Sequence, residues 1–286
     1  MSNVKSNLRW AGGKSKMMKM LDQFMPDTID KYFEVFVGGG SVLLYIIQKY
    51  KPHKIIANDI DKNLINYYQT VRKNPNYIIN ECLQVKNIYS SEKFKNTFQS
   101  LNPTKAVDFF IKNKTSFSGL NSNYSKLAYE KNFSINSINK TKDVSNVIQH
   151  VEFTNLDFAQ IDLDLSDYFI YLDPPYYSNK EKGLYGEKGK LHKEFNHEAL
   201  YEFVEYYGKD NKIMISYDDC EYIRNLYKDY FIYSFDFVYS MTNTGGNDCK
   251  KGKEIVITNY EVLKWNSRWT IEIGKSRKCP KIKCEK

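Results

Sequence analysis

Arginine is nearly missing from this basic chain: five arginines stand beside 37 lysines. Cysteine is sparse and odd in number, at Cys82, Cys220, Cys249, Cys279 and Cys284. Such a set reads as reduced thiols of a cytoplasmic protein, not as a disulfide frame. Cys279 and Cys284 supply at most half of a zinc site, with no further ligands nearby. The four histidines form no His-Glu-Xaa-Xaa-His pattern, so hydrolytic metal chemistry has no support and no metal site is expected. No apolar stretch approaches the roughly 20 residues that span a bilayer. The N-terminal Met1-Ser2-Asn3-Val4-Lys5 lacks the apolar core of a secretory signal. What is plentiful is apolar and aromatic side chain, 42% and 15% of the residues, enough for one large domain with an insert.

The strongest local signal is Asp173-Pro174-Pro175-Tyr176, placed directly after the apolar run Tyr168 to Leu172. A buried strand there delivers a carboxylate, a rigid turn and an aromatic ring to one point. Ligands of open α/β sheets bind outside the carboxyl ends of strands. Proline donates no backbone hydrogen bond, which leaves the turn's carbonyls available as acceptors. Carboxylate, carbonyl and ring together suit a planar exocyclic amine; an ordinary Pro-Pro turn is the plainer reading.

Upstream, Tyr32 to Val37 runs into Gly38-Gly39-Gly40 and then Ser41 to Ile47, a strand, a glycine turn and a helix. Glycine permits positive φ and close approach of a ligand to a helix N-terminus. Some 20 residues on, Lys54-Ile55-Ile56-Ala57 ends in Asn58-Asp59, where a carboxylate can take ribose hydroxyls. The third glycine of the dinucleotide fingerprint falls at Leu43, which weakens a nicotinamide reading. A nucleoside cofactor without a pyrophosphate, such as S-adenosylmethionine, has less need of it.

These parts, with others in the same order, resemble the Dam-like, or D12-class, adenine-N6 DNA methyltransferases over most of residues 7 to 260. Trp10-Ala11-Gly12-Gly13-Lys14 looks like the family's N-terminal cofactor segment, and Phe36 to Val42 like its first cofactor loop. Lys114 to Leu120 is similar to the stretch that opens the DNA-contacting hairpin. Asn155-Leu156-Asp157-Phe158 resembles the segment beside the cofactor's adenine. Ile215-Ser216-Tyr217-Asp218 and Lys253 to Tyr260 match the later strands.

The resemblance implies a Rossmann-like α/β fold, S-adenosylmethionine as cofactor and double-stranded DNA as partner, with a cognate restriction endonuclease as a further, separate partner. It implies catalytic roles for Asp173, Pro174, Pro175 and Tyr176. It implies a cofactor pocket lined by Trp10, Lys14, Gly38, Gly40, Asp59, Asp157, Phe158 and Asp173, with Lys14 facing the methionine carboxylate. For DNA it points to Asn121, Asn123, Tyr124 and Lys126, and to Lys250 and Lys251 in a basic glycine loop over 243–253. Relatives that read GATC carry arginine near the stretch matching Asn121 to Tyr124. This chain has none between residues 75 and 150, so a different target, leaning to A/T, is the expectation. Cytosine-N4 or RNA adenine-N6 methylation fits the same acceptors, and a DNA-binding protein that lost catalysis is the rival of another class.

Charge divides the chain into parts. Residues 75–150 carry 10 cationic against 5 acidic side chains and 264–286 carry 8 against 2, while the remainder carries 24 against 27. The expected organisation is a catalytic and cofactor domain over 1–74 and 151–263, a mostly helical target-recognition insert over 75–150, and a basic tail from 264. Within the insert, apolar spacing predicts helices first and then a hairpin-like loop from Gly119 to about Ile138. A basic tail serves phosphate binding or mere solubility.

Overall fold

In a computed structural model of the chain, residues 3–177, 194–238, 251–262 and 270–273 are described. The strands are β1 (Lys31–Glu34), β2 (Lys54–Asn58), β3 (Val151–Thr154), β4 (Phe169–Leu172), β5 (Lys212–Asp218), β6 (Phe231–Val238), β7 (Lys251–Thr258) and β8 (Thr270–Ile273). They form one sheet in the order β3-β2-β1-β4-β5-β7-β6-β8. The first five are parallel, and β7 enters antiparallel between β5 and β6. The chain therefore leaves β1 toward β2 on one side and returns to β4 on the other. That reversal opens a crevice at the carboxyl ends of β1 and β4, the natural ligand site of such sheets.

Successive strand residues feed opposite faces, as the period of two requires. Tyr32, Ile55, Ala57, Phe169, Tyr171, Met214 and Val256 enter one apolar cluster. Phe33, Ile56, Ile170, Leu172, Ile213, Ile215 and Ile257 enter the other. Both faces are covered, so the inner strands carry nearly unbroken apolar runs instead of alternation.

The helices are α1 (Met18–Leu21), α2 (Ser41–Tyr50), α3 (Lys62–Lys73), α4 (Pro75–Ile88), α5 (Ser91–Phe98), α6 (Ala106–Thr115), α7 (Lys126–Asn132), α8 (Ile135–Val147), α9 (His197–Tyr207) and α10 (Glu221–Leu226). Their starts obey capping chemistry. Asp61 accepts the Asn63 and Leu64 amides, Asn74 precedes Pro75 at the first turn of α4, and Ser125 and Ser134 cap α7 and α8.

The insert is mostly helical, as read from the sequence, but it does not stand apart. Phe109, Phe110 and Val144 share one apolar cluster with Leu43, Ile46 and Tyr67, and the Tyr67 and Phe110 rings stack at 5.6 Å. The expected loop from Gly119 to Ile138 is shorter than anticipated. A single antiparallel bridge, Ser116 to Tyr124, closes a turn, and α7 and the start of α8 occupy the rest. At the other end, residues 270–273 of the expected tail form the outermost strand, paired with β6.

Candidate functional site

The first wall of the crevice is the turn after β1. Gly38 and Gly40 have φ of 44° and 69°, a region that favours glycine. The Gly38 amide donates to Asp59 Oδ2 at 2.9 Å, and the Asp61 amide to Asp59 Oδ1 at 3.0 Å. Tyr68, stacked on Phe153 at 5.1 Å, donates its hydroxyl to the Gly38 carbonyl at 2.9 Å. Trp10 lies across the turn so closely that a Cβ at Gly38 would fall 2.6 Å from its indole nitrogen. A Cβ at Gly40 would fall 2.6 Å from the Tyr68 hydroxyl. Gly40→Ala is thus expected to cost about 1–3 kcal/mol in a urea titration, from left-handed backbone and overpacking together.

Asn58, buried at the end of β2, ties three strand ends to each other. Its Nδ2 donates to the carbonyls of Val35 (3.1 Å) and Leu156 (2.9 Å), and its Oδ1 accepts from Thr154 Oγ1 and the Leu156 amide, each at 2.9 Å. This bracket fixes the segment after β3. There Asp157 accepts the Ala159 amide at 3.0 Å, and buried Phe158 packs beside Phe36 and Phe195 at 5.8 and 5.2 Å between ring centres.

At the crevice floor, Asp173 follows β4 and is reached from two sides. Lys14 Nζ lies 2.6 Å from Oδ1 and Ser216 Oγ, on β5, donates to the same oxygen at 3.0 Å. The Lys14 ammonium also sits 4.9 Å from the centre of the half-buried Tyr176 ring. Tyr176 donates its hydroxyl to buried Glu254 at 3.0 Å, and the Tyr177 amide donates to Asp218 at 3.1 Å. Asp218 and Glu254 face each other in the β5–β7 register, so two adjacent acids hold two consecutive tyrosines.

The site is acidic. Burial, and then the nearby Asp173 and Asp59, push the Glu34 carboxyl well above its ordinary value, against a 2.8 Å hydrogen bond from Tyr32. Burial likewise raises Asp59 to about 6. A diol is matched by Asp59, a flat ring by Phe158, a cation by the carboxylates, and an amine by Asp173 with the turn after it.

The DNA-contact candidates gather elsewhere, in the turn between α6 and α7. Buried Asn113 accepts the Arg9 amide at 2.9 Å and donates to the carbonyls of Arg9 (2.8 Å) and Gly119 (3.2 Å). The turn is thereby stitched to the segment that carries Trp10 and Lys14. Asn121 has φ of 60°, and Asn123 is exposed. Tyr124 points inward, against Phe94, Phe98 and Tyr129, with its hydroxyl on the Ser91 carbonyl. Lys126 pairs with Glu92 at 2.5 Å. Lys250, the side chain of Lys251 and the cysteines after Cys220 lie outside the described residues.

Sequence reasoning missed Asn58, Asn113, Ser216, Glu254 and the cations Arg9 and Lys114. Asn58, Lys114, Ser216 and Glu254 sat inside quoted motifs without a role of their own; for Ser216 and Glu254 a polar residue in an apolar strand was the available signal.

A family model described as D12 class N6 adenine-specific DNA methyltransferase matches residues 10–241. Type II methyltransferase M.MjaIII of Methanocaldococcus jannaschii is 28% identical over 90% of this chain and 99% of its own length. Type II methyltransferase M1.LlaDCHI of Lactococcus lactis is 24% identical over 90% and 96%. A DNA adenine methylase of Haemophilus influenzae is 25% identical over 77% and 82%.

Proposed function

Since the chain belongs to the D12 class N6 adenine-specific DNA methyltransferase family, we propose a division of labour among its residues for moving a methyl group from S-adenosylmethionine to adenine N6. The observation that carries it is the convergence of Asp173, Tyr176, Asp59 and the glycine turn on one crevice. The residues fit the cofactor: Asp59 has acceptor sites left for the ribose hydroxyls, Asp157 and Phe158 border the adenine, and Trp10 buttresses the turn. Bound there, S-adenosylmethionine supplies a methyl group activated by a sulfonium beside the carboxylates.

The N6 amine of adenine is a poor nucleophile because its lone pair is delocalised into the ring. Asp173 and the Pro174 carbonyl accept its two hydrogens and draw the nitrogen toward tetrahedral geometry, while Pro175 keeps the turn rigid and Tyr176 stacks on the base. Positioning and electrostatic stabilisation of positive charge on nitrogen do most of the work. The cofactor held there would give up its methyl group to N6 and leave as the thioether, and the proton that the nitrogen sheds would pass to Asp173 or to water. N6 is paired inside a duplex, so the target adenine is flipped out.

The duplex lies over the turn between α6 and α7. Asn121 and Asn123 face base edges, Lys126 and the 250–251 lysines take phosphates, and Tyr124 shapes the turn from within. The sequence read is other than GATC, and a restriction nuclease of the same specificity is the companion activity.

Asp59 makes cofactor affinity depend on pH. Its carboxyl is raised to about 6 by burial, and ribose hydroxyls donate more strongly to the ionised form, whose two oxygens both accept. Affinity is expected to fall up to about tenfold per unit below pH 6, in calorimetry with S-adenosylhomocysteine, and Asp59→Asn should flatten that slope. The same shift works against stability: it is absent below the unfolded value near 4 and grows as pH rises through 6. Incubating the protein and labelled cofactor with duplex DNA, single-stranded DNA and RNA tests the function. Label on N6 of adenine in the duplex is expected; label on cytosine N4 or RNA only, or no label, contradicts it.

A further inference from the structure

The Asp173 carboxylate is held asymmetrically. Oδ1 receives Lys14 Nζ at 2.6 Å and Ser216 Oγ at 3.0 Å, while no donor among the described residues reaches Oδ2. Behind Ser216 stands Tyr171, with 2.8 Å between the two hydroxyl oxygens. The serine gives its one hydrogen to Asp173, so the tyrosine donates to the serine. Lys14 is anchored from behind by the Gly12 carbonyl at 3.1 Å and is only 3% exposed; Ser216 is fully buried. Neither is free to swing away, and Oδ2 is the edge left for substrate.

We infer that Lys14 is a positioning residue that makes an aspartate obligatory at position 173. The inference rests on the reading of Asp173 as acceptor for the nucleobase amine. An asparagine offers one accepting edge and one donating edge. Opposite an ammonium, which has only hydrogens to give, the amide must present its oxygen to Lys14. Its NH2 group then faces the N6 amine, donor against donor. Ser216 imposes no such choice, because a hydroxyl donates or accepts and the Tyr171–Ser216 pair can reverse its direction. Removing the ammonium therefore frees the amide to turn, with its NH2 on Ser216 and its oxygen toward substrate.

The test measures single-turnover methylation for Asp173→Asn, Lys14→Met and the double variant, with affinities for S-adenosylhomocysteine and duplex DNA taken separately. Asp173→Asn is expected to run at about one-thousandth of the native rate or less, and Lys14→Met about 10–100-fold slower than native. The double variant should exceed Asp173→Asn by about tenfold or more, because one further acceptor then faces the amine. The same lysine deletion thus hurts beside aspartate and helps beside asparagine. Lys14→Gln is the second variant should methionine impair folding; its side-chain oxygen accepts from the asparagine NH2, so it too should rescue. Double variants no faster than Asp173→Asn, with both affinities intact, overturn the inference and leave the acceptor reading standing. A native rate in Asp173→Asn overturns both. A lysine variant that loses cofactor affinity, with no rescue in either double, assigns Lys14 to the cofactor and also overturns it.

Discussion

Asp173→Ala is expected to lower the rate of methyl transfer by about 1,000-fold or more, measured in a single turnover with saturating DNA and cofactor. The variant loses the acceptor for one amine hydrogen and with it the pull that localises the nitrogen lone pair. Affinity for DNA should change little, since the α6–α7 turn is elsewhere, and affinity for the cofactor should fall far less than the rate, since the glycine turn and Asp59 remain. The fold will register the change. Lys14 is buried against Asp173 and is left without that partner in the variant. Breaking a buried pair from one side costs about 3–5 kcal/mol; the part-exposed Asp173 and the Gly12 carbonyl put this case toward the lower end. Lys14→Met in the same chain should restore the thermal midpoint without restoring activity. Recovery of both together would mean that the loss was one of folding, not chemistry.

Lys114→Met is expected to make the protein more stable and a weaker DNA binder. Lys114 lies in the last turn of α6 with 6% exposure, and its ammonium is pushed down to about 8 by burial, with Arg9 and Lys140 adding repulsion. Among the described residues no carboxylate pairs with it. An unfolded lysine titrates near 10.4. The folded value lies below that, so the penalty is full under pH 8 and disappears as pH rises toward 10. Removing the charge should gain on the order of 2–3 kcal/mol at pH 7, read as a higher urea midpoint. A cation kept at such a cost beside Arg9, at the foot of the α6–α7 turn, suits a DNA phosphate. The variant should bind duplex about tenfold less tightly, with a salt slope reduced by about 1. Native affinity should fall above pH 8, where the free protein's lysine discharges. Unchanged affinity and salt slope would remove Lys114 from the interface.

Much of this was legible before the fold was known, wherever local sequence decides local geometry. Apolar runs ending in Asp173 and Asp59, and glycines in a strand-to-helix turn, announce a sheet with chemistry at its carboxyl edge. What stayed hidden depends on pairings distant in sequence. Glu254 meets Tyr176 only because β7 inserts beside β5, and Lys14 meets Asp173 across 159 positions. Tyr124, between asparagines and serines, read as a surface contact, yet the aromatic cluster of α5 and α7 takes it inward. The polar stretch after Gly119 read as loop because α7 is short and rich in lysine and asparagine; its serine cap was the overlooked cue. The strand at 270–273 is four residues long among basic neighbours, too short for alternation to show.

The most direct measurement is a crystal structure of the protein with S-adenosylhomocysteine and a duplex containing its methylation site. The adenine should stand outside the helix, its N6 within about 3.2 Å of Asp173 Oδ2 and of the Pro174 carbonyl, with Lys14 still on Oδ1. An adenine left stacked in the duplex, or one whose amine points away from that acid, would contradict the account.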